Sequence, residues 1–303
     1  RKDPGHRRHS LARRLRRRKV KPSDIEEVAQ KARSLALLTA ISPVLLNDPR
    51  CAHALVLRTG RPPILGDEVP PWRYRGWLRL LVQQLHALAQ RQTGFPNRWG
   101  YLFEVVEHRR LPAEPIPQVA FNTPAPAVLK ATDAWVGILD SQNQWTSFRD
   151  FVRFLAWGLA VGKHGDPMLG DKESEALYRT VNLGLWLRDP SDYLGEVAAI
   201  RYGGGPHKFF PTPHPVCEVL LAARPEGDCR AKSVNDPAMG TGRLLLHASN
   251  YFLRLSGQDI DELMHLCTLV NLAVYAPWGL ADLSFLEGAE AAAFDWSLGG
   301  TLV

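Results

Sequence analysis

The sequence predicts an α/β protein: a partial doubly wound sheet preceded by a mainly α-helical region. From residue 189 onward the chain reads as short strand, glycine turn, helix, short strand, helix, which is the opening of a doubly wound parallel sheet. Gly240 and Gly242 bracket Thr241 where the first strand meets its helix, so the main chain can bend sharply and come close to a ligand. Before residue 189 the apolar residues recur at helical spacing between capping signals, and no longer internal repeat is visible. The expected divisions are a basic arm (1–21), a helical region (22–188) and the α/β region (189–303).

The arm carries Arg1, Lys2, Arg7, Arg8, Arg13, Arg14, Arg16, Arg17, Arg18, Lys19 and Lys21 against a single acid, Asp3. The whole chain has a net charge of +6, so the remainder is slightly acidic. Each arm cation that neutralises a phosphate releases a counterion, so Arg13, Arg14, Arg16, Arg17, Arg18 and Lys19 are candidate DNA-backbone contacts, salt-dependent and blind to sequence. The alternative is a solvated tail that orders only in a complex. Pro22 and Ser23-Asp24-Ile25-Glu26 form a capping box for a helix to about Thr39, with Val28, Ala32, Leu35 and Leu38 on one face.

After the Pro-rich loops at 61–63 and 69–71, Trp72, Tyr74 and Trp77 interleave with Arg73, Arg75 and Arg79. This pattern suits base stacking with phosphate contacts, or equally a helix that buries its aromatics and solvates its arginines. That helix is expected from Trp77 to Gln92, with Leu78, Leu81, Leu85 and Leu88 on one stripe and Gly94 as its stop. The prolines at 112, 115, 117, 124 and 126 predict extended or looped chain. A short strand is expected over Ala134–Leu139. Ser147 then caps a helix to Val161, and Asp171 caps another to Leu187. In the α/β region helices are expected at 190–200, 215–223, 243–255 and 261–274, with strands at 231–235 and 256–260. Asn235 is unusual for a buried parallel strand.

The stretch Asp236-Pro237-Ala238-Met239-Gly240-Thr241-Gly242-Arg243 resembles the S-adenosylmethionine loop of N6-adenine DNA methyltransferases, above all the methylation subunits of type I restriction–modification systems and their plasmid and phage relatives. Lys208-Phe209-Phe210-Pro211-Thr212-Pro213 is similar to that family's Phe-Tyr-Thr-Pro segment. Asp192-Tyr193-Leu194-Gly195-Glu196-Val197 is similar to its Asp-x-Leu-Gly-x-x-Tyr helix, and Gly257-Gln258-Asp259-Ile260-Asp261 to its acidic strand end. The resemblance covers about residues 189–275. It implies a Rossmann-like S-adenosylmethionine-dependent methyltransferase domain with S-adenosyl-L-methionine as cofactor and duplex DNA as partner, alongside a specificity or assembly subunit. It further implies that Asp236, Ala238, Gly240 and Thr241 meet the methionine end, that Asp259 accepts from the ribose hydroxyls, and that Ile260 packs on the adenine. Phe210 and Thr212 would cover the cofactor from the other side, although Pro211 interrupts the family's aromatic-Thr-Pro order. Asp259 as the cap of the next helix is the competing reading.

The family's Asn/Asp-Pro-Pro-Tyr/Phe motif, which binds the flipped target adenine, does not follow the glycine turn in these residues. No catalytic residue is therefore assigned. Either the motif is supplied elsewhere, or the protein is a catalytically inactive relative that acts in DNA binding or assembly. Serine-hydrolase, zinc-protease and nucleotide phosphate-loop motifs are absent. Cys51, Cys217, Cys229 and Cys267 have neither paired nor metal-ligand spacing, and His207, His214, His247 and His265 are scattered, so no metal is expected. With no long apolar run and no secretory leader, a cytoplasmic location without membrane contact is expected.

Overall fold

A computed structural model of the chain describes residues 70–139, 143–163, 167, 169–202, 209–281, 283 and 286. The basic arm, the helix expected over 23–39 and Cys51 lie outside these residues, as do Lys208 and His207.

Helix α1 (Trp77–Thr93) starts after Gly76 and stops at Gly94, both in the left-handed region with φ of 89° and 73°. Its stripe of Leu78, Leu81 and Leu85 is buried, as the spacing predicts. The neighbouring aromatic and arginine side chains serve packing. Trp72 and Trp77 lie against Tyr178, Arg73 pairs with Asp171 at 2.6 Å, and Arg79 lies over Trp99. Helix α2 (Arg98–His108) was not legible, because Trp99, Tyr101, Val105 and Val106 are weak helix formers. It is opened by Asn97, whose side chain accepts from the Gly100 amide.

The strand expected at 134–139 is instead the end of helix α3 (Pro126–Gly137). Trp135 and Val136 favour strands intrinsically, but with Val128 and Thr132 they form a helical stripe that is fully buried, and packing overrides propensity. Pro126 fits because the first helical turn has no use for its missing N–H. Helix α4 (Gln144–Leu159) is capped by Asn143 rather than Ser147, whose hydroxyl lies inside the helix and donates to Leu139 O at 2.8 Å. The helix expected over 171–187 is two, α5 (Asp171–Thr180) and α6 (Leu183–Arg188), because Asn182 caps a new start through the Gly184 amide.

Helices α7 (Tyr193–Tyr202) and α8 (His214–Ala222) lead to β1 (Ser233–Asp236). Then come α9 (Arg243–Ala248), β2 (Arg254–Gly257) and α10 (Glu262–Tyr275). The strands pair in parallel with Ser233 opposite Arg254 and Asp236 opposite Gly257, and among the described residues they form a two-stranded sheet. Asn235 is tolerated because it is exposed and accepts from Ser256 across the pair.

The helix expected to reach Leu255 ends at Ala248. Asn250 stops it by pairing with the extended segment after α2: its Oδ1 accepts from Val119 N and its Nδ2 donates to Val119 O, each at 2.9 Å. β2 consequently begins two residues earlier than expected. Every residue of α10 from Leu263 to Tyr275 is buried, as an all-round apolar helix must be. It packs against α4, α7 and α9, so one continuous core runs from Trp77 to Leu286.

Candidate functional site

The turn between β1 and α9 holds both glycines at positive φ, 55° at Gly240 and 82° at Gly242. A Cβ on Gly240 would come within 2.9 Å of the Phe209 ring, and one on Gly242 within 2.8 Å of Thr268. The glycines therefore answer both a backbone conformation and a close approach. The Gly240 amide donates to Asp259 Oδ2 at 2.8 Å, and its carbonyl accepts from Thr268 Oγ1 at 2.9 Å. The ladder continues past the strands through Gln258 N to Asp236 O and Met239 N to Gln258 O, each at 2.9 Å. These bonds bring Asp236 and Asp259 to the same turn.

Asp236 is half-buried, and its Oδ1 accepts from the Ala238 amide at 3.2 Å. Burial first, and then the neighbouring Asp259 charge, push its carboxyl above the usual range. Two carboxylates held this close favour a ligand group that is positive or rich in donors. Asp259 is not the cap of α10. That role belongs to Asp261, which accepts from the Leu263 amide at 2.8 Å. Asp259 Oδ1 accepts from Asp261 N at 2.9 Å, so each of its oxygens makes one bond and keeps acceptor capacity for a diol.

The other sequence-derived positions separate into outward and inward groups. Ile260 is completely exposed, at 101 %, and Phe210 is 74 % exposed. Thr212 is exposed and offers its carbonyl to Arg243 Nη1 at 3.1 Å. Phe209, not Phe210, is the aromatic that touches the turn. Thr241 points inward, buried, and its hydroxyl is committed to Asp192 at 2.6 Å. The basic residues Arg13 to Lys19 lie outside the described residues.

Asp192 is the site residue that spacing arguments missed. It is fully buried at the start of α7. Its Oδ1 accepts from the Gly195 amide and from Asn271 Nδ2, each at 2.9 Å. Its Oδ2 accepts from Thr241 and from Arg243 Nε, the latter at 3.2 Å. Arg243 also pairs with Glu196 at 2.7 Å, and Asn271 donates to Thr241 O at 2.9 Å. The sequence held a signal, since Asp192 opens one of the four motifs, but nothing in it said that the carboxylate faces the glycine turn from within. A second polar group lies nearby: His214 Nδ1 and His247 Nε2 are 2.8 Å apart, and both rings are buried.

With six residues, α9 is too short for its amides to dominate ligand binding as a longer helix would. Among the described residues no group of three or more His, Cys, Asp or Glu side chains could hold a metal ion, and no helix is long and apolar enough to cross a membrane. Comparisons of the chain with protein-family models, with curated proteins and with solved structures gave no match.

Proposed function

We propose that the chain binds S-adenosyl-L-methionine at the Gly240 turn, as a Rossmann-like protein of the N6-adenine DNA methyltransferase kind. The observation that carries this reading is the convergence of Asp236 and Asp259 on one glycine turn, with the Phe209 ring against Gly240. Burial first, and then the Asp259 charge, disfavour the ionised Asp236 carboxyl, and an ammonium or sulfonium placed beside it would restore that ionised form. Asp259 keeps acceptor capacity for the ribose hydroxyls, and exposed Ile260 offers an apolar surface to the adenine.

Methyl transfer to adenine N6 is an in-line displacement: the amine nitrogen bonds the methyl carbon, the carbon–sulfur bond breaks, and the amine loses a proton. The Asn-Pro-Pro-aromatic element that would orient the amine is not among these residues, so transfer depends on its being supplied elsewhere. The same observation favours a second reading, a cofactor-binding but inactive relative serving DNA binding or assembly in a cytoplasmic complex. Calorimetry with S-adenosylhomocysteine tests the cofactor claim: a folded sample that gives no heat at millimolar ligand refutes it. Tritium transfer from the cofactor to unmethylated duplex DNA separates the two readings, and binding without transfer selects the inactive one.

A further inference from the structure

A cavity of about 450 Å³ opens at the C-terminal end of α9, lined by Gln118, Phe121, Glu218, Arg224, His247 and Tyr251 among others. It shares no lining residue with the glycine turn. We propose that this cavity binds a nucleoside monophosphate unit with an amino-bearing base, the base donating to His247 and the phosphate meeting Arg224.

The hydrogen bonds fix what His247 offers. The Ser191 hydroxyl spends its one proton on Asn122 O at 2.7 Å. His214 Nε2, 3.3 Å from Ser191 Oγ, must therefore carry a proton and donate. In the neutral ring this leaves His214 Nδ1 bare, so it accepts from His247 Nε2–H at 2.8 Å. His247, neutral in turn, keeps a lone pair on Nδ1. Burial holds both rings neutral by pushing their pKa down to about 4.

Gln118 gives its amide protons to Ile116 O and Asn250 O, at 2.9 and 2.7 Å, and so presents only its carbonyl oxygen. Glu218, exposed on α8, is a third acceptor. Against these acceptors stands one cation. Arg224 lies 3.9 Å from the Tyr251 ring centroid and donates to Leu221 O, and among the described residues it has no carboxylate partner. A wall of acceptors beside one available guanidinium, with Phe121 and Leu221 as apolar surface, calls for a planar group with N–H donors joined to an anion. Adenine and cytosine nucleotides have that chemistry, whether free or within a nucleic-acid strand.

The test is calorimetric titration of the full chain with AMP, IMP, adenosine and a short single-stranded deoxyadenosine oligonucleotide. IMP places a carbonyl where AMP has its amine, opposite the His247 lone pair. AMP should bind about tenfold or more tighter than IMP. It should likewise exceed adenosine, and Arg224→Ala should abolish the difference between AMP and adenosine. Oligonucleotide tighter than AMP identifies a strand as the source, and AMP alone identifies the free nucleotide. Asp236→Asn, which alters only the glycine turn, should leave AMP binding unchanged, so failure of the S-adenosyl reading would not affect this result. Equal affinity for AMP and IMP, an unaffected Arg224→Ala protein, or no binding at millimolar AMP would each overturn the proposal.

Discussion

Helix propensity and the structure make opposite predictions for Gly195→Ala. Gly195 lies in the first turn of α7, where alanine is normally the better residue by about 1 kcal/mol. A Cβ there would stand 2.0 Å from Asp192 Oδ2 and 2.6 Å from Thr241 Oγ1. Neither neighbour has room to withdraw, since that carboxylate holds Thr241, Arg243, Asn271 and the Gly195 amide together. Displacing it weakens a helix cap, at about 0.5–2 kcal/mol, and strains a buried ion pair whose full rupture costs about 3–5 kcal/mol. The expected net effect is a loss of about 2–4 kcal/mol, read as a lower urea midpoint at unchanged slope. Gly137→Ala is the internal control, because a Cβ there meets nothing within 4 Å and should give a gain of up to about 1 kcal/mol. If Gly195→Ala were as stable as the parent, Asp192 would not be the node that ties α7 to the glycine turn.

Asp236→Asn keeps the acceptor for Ala238 N but removes the repulsion from Asp259. A carboxyl raised in the folded state destabilises at high pH, so the variant should be the more stable protein above that pKa, with the gain vanishing as pH falls through it. S-adenosyl ligand affinity should meanwhile drop about 10- to 100-fold, the loss of one charge-assisted bond, and a drop below twofold would remove Asp236 from the site. Arg98→Met should be neutral or stabilising by about 1–4 kcal/mol in thermal melts. Fully buried Arg98 bonds only Ser249 O, at 2.6 Å, and lies over Trp278, leaving Nε and Nη1 without partners among the described residues; a loss above about 2 kcal/mol would contradict this. His86, His214 and His247 are each pushed down to about 4 by burial. The unfolded chain then binds more protons below about pH 6.5, so stability should fall from there to pH 4, by up to about 1.4 kcal/mol per pH unit per histidine. A flat profile across that window would show that the rings are not buried neutral.

What the sequence made legible follows from how local each signal is. Gly94 stops α1 and Gly240 makes the turn through backbone conformations that side-chain-bearing residues rarely adopt, so these positions read directly. The strand expected at Trp135 and Val136 failed because strand preference there reflects bulk, and the surrounding core rewards the same bulk on a helix. The end of α9 was misplaced because Leu253 and Leu255 continue an apolar pattern, whereas the stop is made by Asn250 bonding Val119 from a segment 131 residues away. Long-range partners of this kind leave no local trace. The same reason left open which of Phe209 and Phe210 lies against Gly240: adjacent aromatics are equivalent on paper, and only the path of the chain decides.

The interior, not a ligand, fixes the shape of the glycine turn. Gly240 has its amide on Asp259 and its carbonyl on Thr268, so neither polar atom depends on a bound molecule. The next residue is anchored from below, with the Thr241 hydroxyl on Asp192 and its carbonyl on Asn271. Arg243 then ties the start of α9 to α7 through Asp192 and Glu196. A turn held at Gly240, Thr241 and Arg243 by Asp192, Asp259, α7 and α10 has little conformational entropy left to lose should a ligand arrive. The arrangement also explains the division of labour among the acids. Asp192, buried and fully bonded, sets geometry, while Asp236 and Asp259, half-buried with acceptor capacity left, are the carboxylates to which the proposed function assigns the ligand.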